Sequence, residues 1–281
     1  MARQSAAYSP VPTTDKRCFA LKSIEELYFE FDVNGYVVLR DVLDPEHLKG
    51  IQKYWSNHLE VGELHDVNLD WGDEWRRLVD PEQVFRFLSG VFRGRFRMDH
   101  MFCANERFVS SSGNLHHHAD MFDEGIYYWV RNGRVHAGLI GVQYAISAMG
   151  SAQSHFCCIP GSHRANFPVP DACRKLEDNE LLRHIHLGAG DALVFSEALV
   201  HGTYAVAGSS QRRAVFARYM NNHSYFRRPP EHTVLSTLPA TPNHTGADAR
   251  PFNVSLLTER QRRLVAEPAY ARGHDPVGVA P

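Results

Sequence analysis

Two histidines and one aspartate have the types and the spacing of a mononuclear metal site. His118 and Asp120 lie two positions apart in the segment LHHHADMF, residues 115–122. Side chains at positions i and i+2 of a strand point to the same face, so this imidazole and this carboxylate can converge on one ion. His201, which ends a distant apolar segment, can complete the set. Such a facial triad leaves coordination positions open, which suits a non-haem iron(II) that binds a cosubstrate and O2 together.

The histidine-rich segment leaves two alternatives open. His116 would lie on the same face of a strand as His118, so the spacing does not decide which of them binds the metal. A solvated loop or a structural zinc site would also explain an isolated pattern of this kind. The chain has 17 histidines, most of which we expect to be ordinary surface or core residues.

A second motif, GDALVFSEALVHGTYAVAGSSQRRAVFARY at 190–219, supports the metal-site hypothesis. Arg212 follows His201 and opens another apolar segment, so its guanidinium can project from the wall of the same pocket. A guanidinium binds a carboxylate in a bidentate manner and stays charged at any relevant pH. A dicarboxylate that chelates the metal at one end needs such a partner at the other. Thr203 can add a hydroxyl donor there, and Gln143 on a long predicted strand is a further candidate for the cosubstrate pocket.

A third motif, CCIPGSHRANF at 157–167, is a turn that follows a buried strand. We predict a structural role in this turn for His163 rather than metal binding. The other candidate pocket residues, which include aromatic residues that we expect more often in the core than in a site, are Tyr144, Tyr128, Trp129, His100 and Arg218.

Helix signals come early in the chain and strand signals later. Ser23 and Glu26 form a predicted capping box, and Asp44 and Asp80, each followed by proline, predict the starts of two further helices. Strands are predicted at 36–43, 95–102, 134–147, 155–159, 184–187, 191–195 and 213–220, with a last helix at 256–265.

This order predicts a mainly β (α+β) fold, a sandwich or barrel buttressed by N-terminal helices. We expect a flexible arm at 1–20 and a single domain at 21–281, since all-β chains of this length often form one domain. Asn132-Gly133 predicts a hairpin turn. The segment 61–79 is either a lid or a packed connector.

Composition limits the classes of partner and compartment. The formal net charge is -2, which makes nucleic acid and anionic membranes poor partners. The 5 cysteines include no CxxC pair and indicate a reducing compartment rather than a disulfide framework. The N-terminus has no apolar signal region, and no apolar run is long enough to span a membrane, so we expect a cytoplasmic protein that acts on a small molecule.

The chain resembles the phytanoyl-CoA dioxygenase family of iron(II)/2-oxoglutarate oxygenases, which includes ectoine hydroxylase. The resemblance runs from about Phe29 to about Pro268. The order and the spacing of its motifs fit the family. These motifs are FDVNGYVVLRDVLDPEHL at 31–48, HAD at 118–120, IPGSH at 159–163, HGT at 201–203 and RRAVFARY at 212–219.

The resemblance implies a double-stranded β-helix (jelly roll, cupin-like) with iron(II) bound by His118, Asp120 and His201. It also implies 2-oxoglutarate salt-bridged to Arg212, with O2 as the oxidant and ascorbate as a candidate stimulant. Thr203 stands where the family usually has serine, and a lone histidine is usual where this chain has LHHHAD. The carboxylate at Asp120 favours hydroxylation, desaturation or cyclisation over halogenation, because halogenases of this type have a small residue there.

Two other functions remain as alternatives at this stage. A cupin-type isomerase or hydrolase would use the same barrel without 2-oxoglutarate, and would have no need for Arg212. A non-catalytic metal-binding or ligand-binding module would form no succinate from 2-oxoglutarate.

Overall fold

The computed structural model describes residues 22–60, 64–106, 115–116, 125–208, 212–224, 226, 252–266 and 268. The predicted arm at 1–20 lies outside them. The α-helices are α1 (Ile24–Asn34), α2 (Pro45–His58), α3 (Asp73–Arg76), α4 (Glu82–Phe92) and α5 (Glu259–Leu264). The strands are β1 (Tyr36–Leu39), β2 (Leu64–Asp66), β3 (Phe96–Glu106), β4 (Tyr128–Arg131), β5 (Arg134–Ala137), β6 (Ile140–Ala145), β7 (His155–Cys158), β8 (Arg183–Ile185), β9 (Ala192–Ser196), β10 (His201–Tyr204) and β11 (Arg212–Asn221).

Two antiparallel sheets form the body of the protein. The large sheet has the strand order β1-β9-β6-β11-β3-β2, and the small sheet has the order β10-β7-β8. A bridge between His116 and His201 adds a further short strand segment at the edge of the small sheet. The β4–β5 pair forms a separate hairpin. This topology confirms the predicted mainly β, jelly-roll fold.

The two faces of the large sheet bury different sets of side chains. Along β11, Val215 and Tyr219 belong to the cluster that also contains Trp55 and Trp75 from the helices. The alternate residue Phe216 belongs to the cluster that lies between the sheets. This alternation is the period of two that a strand imposes. The helices therefore buttress one face, as predicted, and the other face lines the interior of the jelly roll.

Each of the three helix-start signals is followed by a helix, and two of them also provide its cap. Ser23 forms the predicted capping box with Glu26, and Asp44 caps α2 by accepting a hydrogen bond from the His47 backbone. Asp80, however, does not cap α4, whose N-cap is Pro81. Its carboxylate instead accepts hydrogen bonds from Arg260 Nε at 2.6 Å and Gln261 Nε2 at 2.8 Å. The Asp80 carboxylate thus forms a tertiary contact with α5 instead of capping α4.

Two predicted strands were too long. The strand predicted at 36–43 ends at Leu39, because the chain turns at Asp41, which has a φ of 52°. The segment 134–147 contains two strands, β5 and β6, that are separated at Gly138. A Cβ at Gly138 would lie 2.2 Å from the carbonyl oxygen of Gly125, so only glycine fits this close backbone approach.

Other sequence predictions agree with the structure. Asn132 and Gly133 have φ angles of 53° and 67°, which are typical of the tight hairpin turn predicted there. In the described part of the 61–79 segment, Trp75 is 0% exposed and Trp71 stacks on Tyr54 with ring centroids 5.0 Å apart. That part is therefore a packed connector rather than a lid.

Candidate active site

His201 begins β10 and is held by strand neighbours on both sides. It pairs with Cys158 of β7, and its backbone exchanges two hydrogen bonds of 2.9 Å with His116 on the other side. Residues directly opposite in an antiparallel pair project to the same face, and the His116 and His201 ring centroids are 4.3 Å apart. His201 is only 5% exposed. The Phe156 and Phe195 rings lie against its imidazole, with centroid distances of 5.4 and 5.0 Å.

The His201 ring has one nitrogen suited to bind a metal. Its Nδ1 atom lies 2.6 Å from the carbonyl oxygen of Leu199. A carbonyl oxygen only accepts, so Nδ1 carries the hydrogen and the neutral ring keeps its lone pair at Nε2. Metal-binding histidines commonly donate their other N–H group to a carbonyl in this way. The environment of His201 therefore fits an iron(II) ligand.

The other two predicted ligands, His118 and Asp120, lie outside the described residues. Their neighbour His116 lies beside His201, so the chain leading to the HAD motif reaches this edge of the small sheet. Among the described residues, no three metal-ligating side chains surround a common point. The described part of the chain thus contributes His201 to the predicted triad, with His116 next to it.

The structure brings the three predicted cosubstrate residues together. Arg212 donates a hydrogen bond from Nη1 to Thr203 Oγ1 at 3.1 Å and from Nη2 to Gln143 Oε1 at 3.4 Å. Arg212 is 3% exposed and Gln143 is 0% exposed. Thr203 lies two residues beyond His201 on the same face of β10, a separation of ~7 Å along a strand. A buried guanidinium thus contacts the residue that lies two positions beyond the candidate metal ligand on β10.

A buried ion pair lies near His201, and only one of its two residues was predicted from the sequence. Glu197 Oε1 lies 2.6 Å from Arg218 Nε, and Glu197 Oε2 lies 3.8 Å from His201 Nε2. The Arg218 guanidinium lies over the Phe195 and Phe216 rings, 5.3 and 5.2 Å from their centroids. Arg218 was a predicted pocket residue, whereas Glu197 was missed. A single carboxylate within the otherwise apolar FSEALVH stretch was the sequence signal for it.

His100, another predicted pocket residue, belongs to a buried charged group at a β-bulge. Successive β11 residues Arg218 and Tyr219 pair with His100 and Met98, so Asp99 is the extra residue of β3. Its carboxylate lies 2.8 Å from His100 Nδ1 and 2.9 Å from Arg97 Nη1. Burial alone would raise the pKa of Asp99, but the hydrogen bond and charge of His100, with the charge of Arg97, outweigh it and lower this pKa to about 2.

The lowered pKa of Asp99 makes stability depend on acid in a defined direction. The folded state holds this proton more weakly than the unfolded chain, so the stabilisation is complete above the ordinary carboxyl pKa and is lost as pH falls toward about 2. Between about pH 5 and pH 2, we expect the free energy of unfolding of the wild type to fall ~2 kcal/mol further than that of Asp99→Asn. Urea unfolding across this range measures both slopes.

The exposed Asp171→Asn variant is the matched control and should keep the wild-type slope. Equal slopes in the wild type and in Asp99→Asn would contradict the assignment of the acid dependence to Asp99.

The remaining candidates have structural contacts. The Tyr144 hydroxyl donates to the Leu78 carbonyl at 3.1 Å, and the Tyr128 hydroxyl donates to Asp32 at 2.6 Å. His163 is buried, with Nε2 3.2 Å from the Asp32 carbonyl oxygen, in agreement with its predicted structural role. Trp129 is 56% exposed on the β4–β5 hairpin. Tyr144 and Tyr128 belong to the cluster on the helix-facing side of the large sheet, so their contacts are structural.

The chain matches a known protein family. The family described as Phytanoyl-CoA dioxygenase (PhyH) matches residues 56–214, which is more than half of the chain. No curated protein sequence shows significant similarity to the chain.

No helix among the described residues is long and apolar enough to cross a membrane.

Several solved structures share the fold at low sequence identity. HygX from Streptomyces hygroscopicus, with nickel and 2-oxoglutarate bound, has a TM-score of 0.65 at 18% identity over 83% of this chain and 98% of its own. SnoN, a non-heme alpha ketoglutarate dependent epimerase from nogalamycin biosynthesis, has a TM-score of 0.55 at 18% identity over 84% of this chain and 96% of its own. AviO1 from Streptomyces viridochromogenes Tue57 has a TM-score of 0.53 at 14% identity, over 72% and 96%. With its family match and its jelly-roll fold, the chain belongs to the phytanoyl-CoA dioxygenase family of iron(II)/2-oxoglutarate-dependent oxygenases.

Proposed function

We propose that His118, Asp120 and His201 bind the iron(II) and that Arg212 binds the distal carboxylate of 2-oxoglutarate. The observation that carries the proposal is the buried Arg212 guanidinium, which is hydrogen-bonded to Thr203, two residues beyond His201 on β10. The ~7 Å step matches a dicarboxylate that chelates a metal at one end and meets a cation at the other. A cupin-type isomerase or hydrolase without 2-oxoglutarate would have no use for this arrangement.

Residues of the chain prepare the site before any ligand arrives. The hydrogen bond to the Leu199 carbonyl fixes the His201 ring and leaves Nε2 as the nitrogen that would bind the proposed metal. Thr203 and Gln143 orient the guanidinium of Arg212, while the aromatic rings around His201 exclude water. When bound, iron with 2-oxoglutarate and O2 would supply an oxidative decarboxylation, coupled to substrate oxidation, with succinate and CO2 as co-products.

The proposed reaction is hydroxylation of a small or medium metabolite, with desaturation or cyclisation as alternative outcomes. The carboxylate of Asp120 argues against halogenation, because chloride needs an open position there. Structural relatives have been solved with small molecules, namely HygX with hygromycin B and SnoN with nogalamycin RO. The buried Glu197–Arg218 ion pair beside His201 also gives this region a polar character, which favours a polar metabolite.

The test is succinate formation by the purified protein supplied with iron(II), ascorbate and 2-oxoglutarate. We expect slow turnover without substrate that ends when a chelator removes the iron. A hydroxylation substrate should then accelerate succinate formation and gain one oxygen atom, which mass spectrometry detects. An iron-loaded protein that forms no succinate would support the non-catalytic binding module instead.

A further inference from the structure

A second concave site lies where α4, the β4–β5 hairpin and the end of β11 meet. It is a cavity of about 510 Å³. This volume lies within the ~300–1,000 Å³ typical of small-molecule pockets. Five of the eleven described residues that line it have cationic or imidazole side chains, and none of the eleven is Asp or Glu. The five are Arg93, Arg95, Arg134, His136 and His223.

The positive charge of this cavity is not balanced locally. In the part of the chain that the structure describes, no carboxylate forms an ion pair with Arg93, Arg95 or Arg134. The whole chain has a formal net charge of -2, so the concentration of cations does not follow from composition. Three guanidinium groups around one cavity favour an anion, and their planar forks match the oxygens of phosphate and sulfate.

The backbone at Arg93 adds an independent observation. Arg93 is the C-cap of α4 with a φ of 55°, in the left-handed region where helices usually end in glycine. An arginine there is strained relative to glycine, because its Cβ crowds the following carbonyl oxygen. A cation is favourable near the C-terminus of a helix, which explains part of this choice. The preference for a cation at a helix end does not account for Arg95, which lies beyond α4, or for Arg134, which lies on β5.

The cavity is separate from the proposed cosubstrate subsite. Arg212 begins β11 and Asn221 ends it, so Asn221 at the cavity lies ~30 Å along the strand from Arg212. The cavity also has an apolar part, to which Phe92, Val135 and Ala137 contribute. A ligand with both a charged group and a carbon skeleton would use both parts.

We propose that this cavity binds a small molecule through a phosphate or sulfate group. The guanidinium groups hold the oxyanion, and the apolar side chains contact the rest of the molecule. A concave pocket of this size suits a small molecule rather than a nucleic acid, whose phosphates need an extended basic surface. The site is independent of the chemistry at His201, because none of its lining residues belongs to that site.

The experiment is calorimetric titration of the full chain with inorganic pyrophosphate and, separately, with sulfate, at constant ionic strength. We expect saturable binding of pyrophosphate that weakens at least ~10-fold in the Arg95→Gln/Arg134→Gln double variant, because two charge-assisted hydrogen-bond donors are lost. Arg131→Gln is the matched control, since Arg131 is exposed on the same hairpin but does not line the cavity. Arg212→Gln should also retain binding, which excludes the cosubstrate subsite as its location.

The Arg93→Gly variant distinguishes a role of Arg93 in anion binding from a role in stability alone. This variant should melt at the same or a higher temperature than the wild type, because glycine relieves the left-handed backbone, yet it should bind pyrophosphate more weakly. Three results would overturn the proposal: no saturable binding, equal binding in the double variant, or preferential binding of an RNA oligonucleotide over pyrophosphate.

Discussion

Replacing Arg212 with glutamine is expected to raise the KM for 2-oxoglutarate by about 100-fold or more, or ~3 kcal/mol. The physical reason is the burial of Arg212, which is 3% exposed and hydrogen-bonded to Thr203 and Gln143. A carboxylate that enters this pocket loses its water, so a neutral amide cannot replace the charge of the guanidinium. Succinate formation at increasing 2-oxoglutarate concentration measures the effect.

Arg213→Gln is the matched control for this prediction. Arg213 is the next residue of β11, and its Nη1 donates to Ser56 Oγ of α2 at 3.1 Å, on the face of the sheet that the helices cover and away from the cosubstrate pocket. Its loss should leave the KM for 2-oxoglutarate within about twofold of the wild type, as expected for a surface position. Equal kinetics in wild type and Arg212→Gln would remove Arg212 from the cosubstrate site.

Measurements of iron(II) affinity should distinguish the roles of the three histidines around the proposed metal position. We expect His201→Ala and His118→Ala each to weaken iron(II) binding by more than ~100-fold, since even partners that only orient a ligand contribute 10–100-fold. His116→Ala should retain iron, although its ring lies 4.3 Å from that of His201. Anaerobic titration with iron(II), followed by metal analysis after desalting, measures the three affinities.

His116→Ala is thus both a control and the discriminating variant. If His116→Ala loses iron while His118→Ala retains it, the metal is bound by His116 instead of His118. Far-UV circular dichroism of each variant separates loss of a ligand from loss of fold.

The sequence predicts the architecture well because most of its signals are local. Alternating apolar residues place Val215 and Phe216 on opposite faces of β11, and the structure assigns them to two different clusters. Local signals fail where a distant contact decides the outcome. Asp80 has the sequence of a helix cap, but Arg260 and Gln261 approach from far along the chain and bind its carboxylate.

The candidate site shows the same division. The spacing of His201, Thr203 and Arg212 predicts a shared pocket, because strand geometry fixes which side chains share a face. The ion pair of Glu197 with Arg218 and the bulge at Asp99 arise from pairing between strands, which no local pattern specifies. The basic cavity likewise depends on how a helix end, a hairpin and a strand end meet.

The most direct test of the proposed site is an anaerobic crystal structure with manganese(II) and 2-oxoglutarate. The predicted result is a metal bound by His118, Asp120 and His201 Nε2. The distal carboxylate of 2-oxoglutarate should contact the Arg212 guanidinium and the Thr203 hydroxyl. A metal bound through His116 in place of His118, or a cosubstrate carboxylate away from Arg212, would contradict the account.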